Sequence, residues 1–287
     1  MNDGWVYPND AKFYNGQRAG IEYYNDQFVS RNEKYPIKLT GQFDQKIEDL
    51  KTNGFTKWEQ VIDKDTLDVI RDKVEFCIKN NTNLKGLDQH YATIAHPFLV
   101  SDEVQSLAFS DLLVDFGREY FKCMPGIGTF NLRKSFVNDL SPITTQLFHR
   151  DKNSIKFFKF FMYLNDVDTP EDGPLTLVKN SWNKVPVYHH MKHRWSEQEM
   201  KNEYGEDSLL YLTAKKGDLI AASTTSFHRG TKPTRKERIM LTINYVIHPE
   251  LHGGIPGTKD KYFKIKEQQY NELPTYKKPV ADFLIKE

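Results

Sequence analysis

The stretch Gly217–Val246, GDLIAASTTSFHRGTKPTRKERIMLTINYV, indicates most directly which fold the chain adopts. Residues two apart in an extended strand point to the same side, so the end of this stretch can be divided into two faces. One face carries Arg238, Met240, Thr242 and Asn244, and the other is apolar, with Ile239, Leu241, Ile243 and Tyr245. An apolar face packed on helices and a polar face turned into a cavity are typical of a strand in a ligand-holding barrel.

The sequence around this strand predicts helices first and strands afterwards. Apolar spacing predicts amphipathic helices over residues 63–79 and 110–122, the second with Ser110 as its N-cap. Between Thr129 and Val246, runs rich in Phe, Ile, Val and Thr alternate with turns such as Asp172-Gly173. This order predicts a mainly β protein with flanking helices, folded as a double-stranded β-helix, the jelly-roll or cupin-type barrel.

Two local signals lie inside the strand-rich region. Ser196 and Glu199 form a capping-box pattern, which predicts a short helical insertion starting there. The segment Gly230–Thr234 contains glycine and proline, and we expect it to reverse the chain. This reversal would place His228 and Arg238 on adjacent antiparallel strands.

The chain is expected to form a single domain over residues 1–287. Its predicted parts are an aromatic-rich extension (1–45), helices plus the barrel core (46–247) and a C-terminal tail (248–287). The extension has too many aromatic residues for a disordered arm, so we expect it to pack on the core.

Composition excludes several classes of protein. The chain has 287 residues, with 40 basic and 39 acidic side chains and a net charge of +1, so no global field favours nucleic acid or an anionic membrane. Two cysteines are too few for a disulfide scaffold. The polar N-terminus and the lack of a long apolar run argue against a signal peptide or a membrane span. A cytoplasmic location is predicted.

A candidate metal site is contained in the stretch Gln146–Asp151, QLFHRD. On a short strand, His149 and Asp151 would face the same side, and His228 adds a second imidazole from a distant segment. Two histidines and one carboxylate with open positions form the set that holds Fe(II) for oxygen chemistry. Arg238 follows His228 by ten positions, and its planar fork suits the far carboxylate of a dicarboxylic co-substrate. Arg235 is the rival arginine, but it falls near the turn, where a solvated charge is expected.

These residues resemble the non-haem Fe(II)- and 2-oxoglutarate-dependent dioxygenases, in particular the phytanoyl-CoA dioxygenase-like family. The resemblance covers roughly residues 50–246, including the segment Phe161–Val178, FMYLNDVDTPEDGPLTLV. Lys179-Asn180-Ser181-Trp182 departs from the Pro-Gly-Ser-His that many relatives have at this point. Because that element belongs to the rim, the departure concerns the substrate more than the chemistry.

The resemblance implies a single oxygenase domain that uses Fe(II), 2-oxoglutarate and O2. It implies that His149, Asp151 and His228 are the catalytic metal ligands, and that Arg238 binds 2-oxoglutarate. Thr176 and Thr242 are further candidates for the co-substrate carboxylate, although either hydroxyl could serve local backbone groups. Asp151 favours hydroxylation over halogenation, because related halogenases replace this carboxylate with a small residue. Desaturation and epoxidation stay open.

The predicted substrate is a small molecule of the polar, anionic or carrier-bound kind, with no nucleic-acid or membrane partner. Gln146 and Trp182 are candidates for substrate contacts, although Gln146 would face away from His149 on a regular strand. His189, His190 and His193 are interpreted as a solvated face rather than a second metal site. The alternatives are a protein or peptide hydroxylase of the same chemistry, a nucleic-acid demethylase, and a cupin-like metal-binding protein or isomerase that does not use 2-oxoglutarate.

Overall fold

The computed structural model describes residues 11–151, 154, 156–181, 192–248, 251–252, 255–256 and 263–287. Within these ranges the helices are α1 (Ala11–Lys34), α2 (Asp44–Asn53), α3 (Lys64–Lys79), α4 (Pro97–Val100), α5 (Asp102–Ala108), α6 (Asp111–Phe121), α7 (Glu197–Tyr204) and α8 (Glu267–Glu272). The strands are β1 (Phe55–Trp58), β2 (Leu84–Leu87), β3 (Tyr91–Ile94), β4 (Gly126–Ser135), β5 (Phe158–Tyr163), β6 (Leu175–Val178), β7 (Leu209–Leu212), β8 (Leu219–Ala222), β9 (His228–Gly230), β10 (Arg238–Val246), β11 (Leu251–His252), β12 (Ile255–Pro256), β13 (Lys264–Ile265) and β14 (Ile285–Lys286).

Two antiparallel sheets form the barrel. The larger has the strand order β1-β8-β5-β10-β4-β3-β2, and the smaller has the order β7-β6-β9. Side chains from both sheets pack together between them, among them Phe161 and Met240 of the larger sheet and Leu175 and Leu177 of the smaller. The predicted mainly β barrel with flanking helices is therefore confirmed.

The outer face of the larger sheet packs on the helices. Alternate residues of β10 (Ile239, Leu241, Ile243 and Tyr245) join the same apolar core as the buried faces of α3, α5 and α6. Full burial of an aliphatic or aromatic side chain of this size stabilises the fold by about 1.5–3 kcal/mol relative to exposure. The division of β10 into an apolar and a polar face, predicted from the sequence, is confirmed.

The two predicted helices before the barrel are present as α3 and α6. Asp63 caps α3, because its carboxylate accepts the backbone N–H of Thr66. Ser110 occupies the N-cap position of α6 with the extended backbone of a cap, as predicted, although its hydroxyl makes no capping hydrogen bond. None of the helices in the described ranges has the length and apolar character that a membrane span requires.

The predicted insertion is α7, and its capping box is formed as expected. The Ser196 hydroxyl accepts the N–H of Glu199 at 3.2 Å, and the Glu199 carboxylate accepts the N–H of Ser196 at 2.8 Å. Two backbone donors at the helix start are thereby satisfied. The helix begins where the sequence placed it.

The relation between His228 and Arg238 differs from the prediction. β9 pairs with β6 in the smaller sheet, whereas β10 pairs with β4 and β5 in the larger one. The two strands are therefore not adjacent. The connection after Gly230 carries the chain from one sheet to the facing one, which is how a barrel with two sheets is closed.

The N-terminal extension contacts the core through the second half of α1. Tyr24 and Phe28 pack against the apolar cluster beneath the helices. Arg31 is buried and donates to the carbonyl oxygens of Met124 at 2.8 Å and Pro279 at 3.0 Å. The extension is thus tied both to the barrel and to the C-terminal tail, as its aromatic content predicted.

The turn before β6 is fixed by a buried carboxylate. Asp172 is fully buried and accepts two hydrogen bonds from Arg235, at 2.7 and 2.6 Å, and one from the N–H of Asp168 at 2.8 Å. The bidentate partner Arg235 holds the pKa of Asp172 well below its usual range. Gly173 follows at φ 77°, where an added Cβ would lie 2.6 Å from the carbonyl oxygen of Thr231. Only glycine fits at position 173. Arg235, the rival candidate for the co-substrate arginine, is paired with Asp172 and so has a structural role.

Replacing Asp172 by alanine should lower the free energy of unfolding at pH 7 by about 1–3 kcal/mol. The backbone N–H of Asp168 and the Nε and Nη2 donors of Arg235 would lose their acceptor. A carboxylate with a lowered folded-state pKa stabilises the fold above its unfolded pKa, about 3.9, and this stabilisation is lost as the pH falls toward the folded value. Urea unfolding at pH 7 and pH 3 should therefore show a smaller difference between wild type and variant at pH 3. Asp168→Ala, a more exposed carboxylate in the same turn, is the control and should have a much smaller effect. An equal difference at both pH values would contradict the assignment.

Candidate metal centre and its cavity

The two histidines are brought together by backbone pairing. The segment containing His149 runs beside β9, and His149 and His228 exchange both backbone hydrogen bonds, each 2.9 Å long. Directly opposed residues of an antiparallel pair place their side chains on the same face. The two imidazole rings are accordingly only 4.3 Å apart between centroids. The His149 segment forms single bridges rather than a regular strand.

The hydrogen bonds of each imidazole leave one nitrogen available for a metal. Nδ1 of His149 lies 2.9 Å from the carbonyl oxygen of Leu147, and Nδ1 of His228 lies 3.0 Å from that of Ser226. Because a carbonyl oxygen only accepts, each Nδ1 donates its proton there, and Nε2 is the nitrogen of each neutral ring that can bind a metal. This tautomer is the one in which metal-binding histidines are held by their backbone partners.

Asp151 completes the set. Its backbone N–H donates to the carbonyl oxygen of Thr224, and its carboxylate lies 3.8 Å from Nε2 of His149 and 3.4 Å from Nε2 of His228. The three potential ligand atoms lie within 4.8 Å of one another. The predicted spacing of His149 and Asp151 on one side is confirmed, and the donor set fits a divalent ion with two nitrogens and one oxygen.

The protonation states also suit metal binding. Burial, followed by the neighbouring His228, lowers the pKa of His149 to about 3, so its imidazole is neutral at physiological pH. Burial alone would raise the pKa of Asp151, but the ammonium of Lys159 and the two imidazoles keep it well below the ordinary value. Lys159, on β5, contacts the Asp151 carboxylate at 2.6 Å. A neutral imidazole and an ionised carboxylate are the forms that ligate metals.

The three ligands open into a cavity of about 130 Å³ between the sheets. Its wall includes Arg238, Met240 and Thr242, the polar face predicted for β10. Lys159 pairs with Asn244 across the sheet, so the metal ligands lie toward one end of this face and Arg238 lies at the other. The cavity therefore offers metal ligands at one end and a guanidinium at the other.

Arg238 is held rigidly by neutral groups. Its Nη1 donates to the carbonyl oxygens of Gly173 and Thr231, and its Nη2 donates to the Ser135 hydroxyl at 2.9 Å. Its buried Nε has no hydrogen-bond partner in the described part of the chain. Burial lowers the pKa of Arg238 to about 10, so the group stays charged at neutral pH. It is a buried cation without a described counter-ion, which an incoming carboxylate would supply.

The remaining predicted site residues have different outcomes. Thr242 lines the cavity, as expected for its face of β10. Thr176 does not: its hydroxyl bonds Thr231 at 2.7 Å, and Leu175 is the residue of β6 that faces the cavity. Trp182 lies outside the described residues, as do His189 and His190. His193 is exposed, which agrees with its interpretation as part of a solvated face.

Gln146 lies in the cavity, contrary to the orientation predicted for it. It was expected to face away from His149, but residues Thr144–Gln146 form a 3₁₀ turn instead of a strand, and Gln146 lines the same cavity. Thr144 adopts φ 44°, a left-handed conformation that costs a β-branched residue roughly 1–2 kcal/mol. The turn directs the side chains of Thr145 and Gln146 to the cavity wall.

Sequence reasoning missed Asn131, Arg133 and Ser135, which line the cavity from β4, and Lys159 of β5. A signal was present for both strands. The three β4 residues alternate with Phe130 and Leu132, and Lys159 is a lone charge in the run FFKFF. Tyr91 of β3 also lines the cavity, and no pattern in its own strand singles it out.

Neither family models nor curated protein sequences match this chain. Solved structures match its fold. HygX from Streptomyces hygroscopicus, with nickel, 2-oxoglutarate and hygromycin B bound, has a TM-score of 0.56 and 14% identity over 72% of this chain and 89% of its own. The alpha-ketoglutarate-dependent carbocyclase SnoK from nogalamycin biosynthesis has a TM-score of 0.58 and 14% identity over 76% and 88%. The epimerase SnoN, in complex with Fe³⁺, alpha-ketoglutarate and nogalamycin RO, has 0.57 and 13% over 71% and 83%.

These comparisons establish the fold class. The chain has the double-stranded β-helix fold of HygX, SnoK and SnoN, and it spans most of the length of these three structures. The resemblance inferred from the sequence motifs points to the same group of enzymes.

Proposed function

We propose that this protein is an Fe(II)- and 2-oxoglutarate-dependent oxygenase that hydroxylates a C–H bond of a small molecule. One observation carries the proposal: the Nε2 atoms of His149 and His228 and the carboxylate of Asp151 converge within 4.8 Å in a cavity that also contains the buried guanidinium of Arg238. A cupin-like protein without 2-oxoglutarate has no need of an arginine at the far end of its metal cavity.

In this proposal each residue has a defined task. His149, Asp151 and His228 hold the iron, and their own hydrogen bonds fix the orientation of each ligand. Arg238 binds the distal carboxylate of 2-oxoglutarate, and Thr242 lies on the same face to contact it. When bound, the metal and co-substrate supply the oxidation, in which 2-oxoglutarate, O2 and the substrate C–H give succinate, CO2 and a C–OH product.

Hydroxylation is proposed over halogenation because Asp151 is present as a carboxylate ligand. A halide would need the coordination position that this carboxylate would occupy. The carbocyclase SnoK and the epimerase SnoN, both alpha-ketoglutarate dependent, have the same fold with other outcomes. The outcome therefore depends on which substrate atom is presented to the metal, and product analysis must decide it.

Anaerobic titration of apo protein with Fe(II), followed by 2-oxoglutarate, tests the cofactor assignment. A visible metal-to-ligand charge-transfer band should appear only when both are present, and it should bleach when oxygen and substrate are added, with release of succinate. Bound iron without this band would favour the cupin-like alternative.

We also propose that residues 1–287 form one oxygenase domain and that the protein is cytoplasmic. The first point is supported by Arg31, which connects α1 to the barrel and to the C-terminal tail. Limited proteolysis should then leave the extension attached until the core itself unfolds.

A further inference from the structure

A second arginine stands in the cavity wall. Arg133 lies on β4, where its guanidinium stacks on the ring of Tyr91 with its central carbon 4.1 Å from the ring centroid. Its Nε donates to the Thr93 hydroxyl at 3.1 Å, and its Nη1 donates to the Thr145 hydroxyl at 2.9 Å. The side chain is therefore fixed in place by neutral groups, and its planar fork is preorganised.

Arg133 has no ion-pair partner among the described residues. The nearest influence of opposite charge is Asp88, whose carboxylate accepts the backbone N–H groups of His90 and Tyr91. It acts on Arg133 through its charge and makes no ion pair with it among the described contacts. Burial lowers the pKa of Arg133, but an arginine keeps its charge at physiological pH. A partly buried, unpaired cation is costly unless an anion arrives to pair with it.

The charges around the cavity favour an anion even after the cofactors bind. The lining residues include the cations Arg133, Lys159 and Arg238, and among the lining residues that the structure describes Asp151 is the single carboxylate. A ferrous ion and the 2-oxoglutarate dianion together add no net charge. The positive excess therefore persists. Lys159 already contacts Asp151, and the proposed function places the co-substrate carboxylate against Arg238, so Arg133 is the cation of these three that is left without a contacting anion.

A second donor lies beside Arg133. Gln146 is buried, and its Oε1 accepts the backbone N–H of Ile143 at 3.1 Å, which fixes the orientation of the amide. Its Nε2 has no hydrogen-bond partner in the described ranges. Gln146 adjoins Thr145, which holds Arg133, so a fixed fork and an unused amide donor share one part of the wall.

The two arginines differ in accessibility, and this difference separates their roles. Arg238 is buried at the start of β10, whereas Arg133 on β4 and its stacking partner Tyr91 on β3 are only partly buried and lie on the side of the larger sheet that ends with β2. The proposed function places the co-substrate at the enclosed end, which leaves Arg133 on the more accessible side of the cavity for a second ligand.

We propose that Arg133, supported by Tyr91 and joined by Gln146, is the subsite for the carboxylate of the primary substrate, so that the enzyme acts on a small carboxylic acid. This inference rests on the proposed function and specifies its substrate class. The fork of Arg133 pairs with the carboxylate, and Gln146 donates a further hydrogen bond to it.

The test uses acetate as the probe and acetamide as its uncharged counterpart. Protein loaded with Zn(II) and saturated with 2-oxoglutarate is titrated with each compound, and binding is followed by saturation-transfer NMR of the methyl signal. Acetate should bind in the millimolar range and at least about 10-fold more tightly than acetamide. Arg133→Met should remove this preference, Arg133→Lys should retain part of it, and Gln146→Leu should weaken acetate binding. Arg71→Met, which removes a half-buried, ion-paired arginine of α3 outside the cavity, is the matched control and should leave acetate binding unchanged.

The outcomes separate this inference from the proposed function. Equal binding of acetate and acetamide, or unchanged acetate binding in Arg133→Met, overturns the inference alone. The charge-transfer band in the same variants provides a second readout. If Arg133→Met weakens 2-oxoglutarate binding about 10-fold or more, Arg133 serves the co-substrate and the inference is wrong, although the proposed function stands. A wild-type protein that never shows the band contradicts the proposed function itself.

Discussion

Asp151→Ala is expected to raise the dissociation constant for Fe(II) by more than about 100-fold, beyond the 10- to 100-fold typical of changes to outer-shell partners, and to abolish the charge-transfer band. Two effects combine. The variant loses the single anionic ligand of the set. It also leaves the ammonium of Lys159, which in the wild type lies 2.6 Å from the Asp151 carboxylate, without its partner. An unpaired cation beside the site then repels the metal ion.

Because of the unpaired Lys159, the loss of metal affinity in Asp151→Ala should exceed the loss caused by removing either histidine ligand. His149→Ala and His228→Ala remove a neutral donor each and should weaken metal binding less than Asp151→Ala. The double variant Asp151→Ala/Lys159→Met should regain about 10-fold of metal affinity relative to the single variant, roughly 1.4 kcal/mol. Isothermal titration with Fe(II) under anaerobic conditions measures all four. His193→Ala, which changes an exposed histidine, is the control.

Metal binding that persists in His149→Ala, Asp151→Ala and His228→Ala alike would refute the assigned centre. A double variant that binds no better than Asp151→Ala would show that Lys159 does not act electrostatically on the metal. In that case the lysine only orients the carboxylate.

The parts of the site that sequence predicted correctly lie on segments with a regular period. β10 alternates polar and apolar residues over its length, so its inward face could be identified without a structure. His149 and Asp151, two residues apart, could be paired for the same reason. Arg133 was missed although β4 carries a similar alternation, because its polar residues look like those of any solvated strand face until the facing sheet is known.

The errors have specific physical causes. All four residues of β6 are buried, so its sequence LTLV has no polar face to distinguish inside from outside, and Thr176 was placed on the wrong one. Gln146 was assigned to a strand because the left-handed Thr144 that interrupts it is not a glycine and gives no sequence signal. The pairing of β9 and β10 depends on contacts between distant strands, which no local pattern encodes.

Arg238→Met is expected to raise the dissociation constant for 2-oxoglutarate on the order of 100-fold, about 3 kcal/mol, while Fe(II) affinity stays nearly unchanged. The guanidinium lies at the opposite end of the β10 face from the row of Lys159, so its loss removes the partner of the distal carboxylate without touching a metal ligand. Arg238→Lys should recover part of the affinity, since it keeps the charge but loses the fork.

The measurement is a 2-oxoglutarate titration of the Fe(II)-loaded protein, followed by the charge-transfer band. Arg235→Met is the matched control: it removes the neighbouring arginine, which pairs with Asp172 outside the cavity, and should leave 2-oxoglutarate affinity unchanged. Because Arg238 also donates to Gly173 and Ser135, thermal unfolding of each variant is recorded alongside. A folded Arg238→Met that binds iron and 2-oxoglutarate as the wild type does would remove the arginine from the co-substrate site and leave Arg133 as the remaining guanidinium able to bind its carboxylate. Equal loss of metal and co-substrate would instead show that Arg238 supports the cavity as a whole.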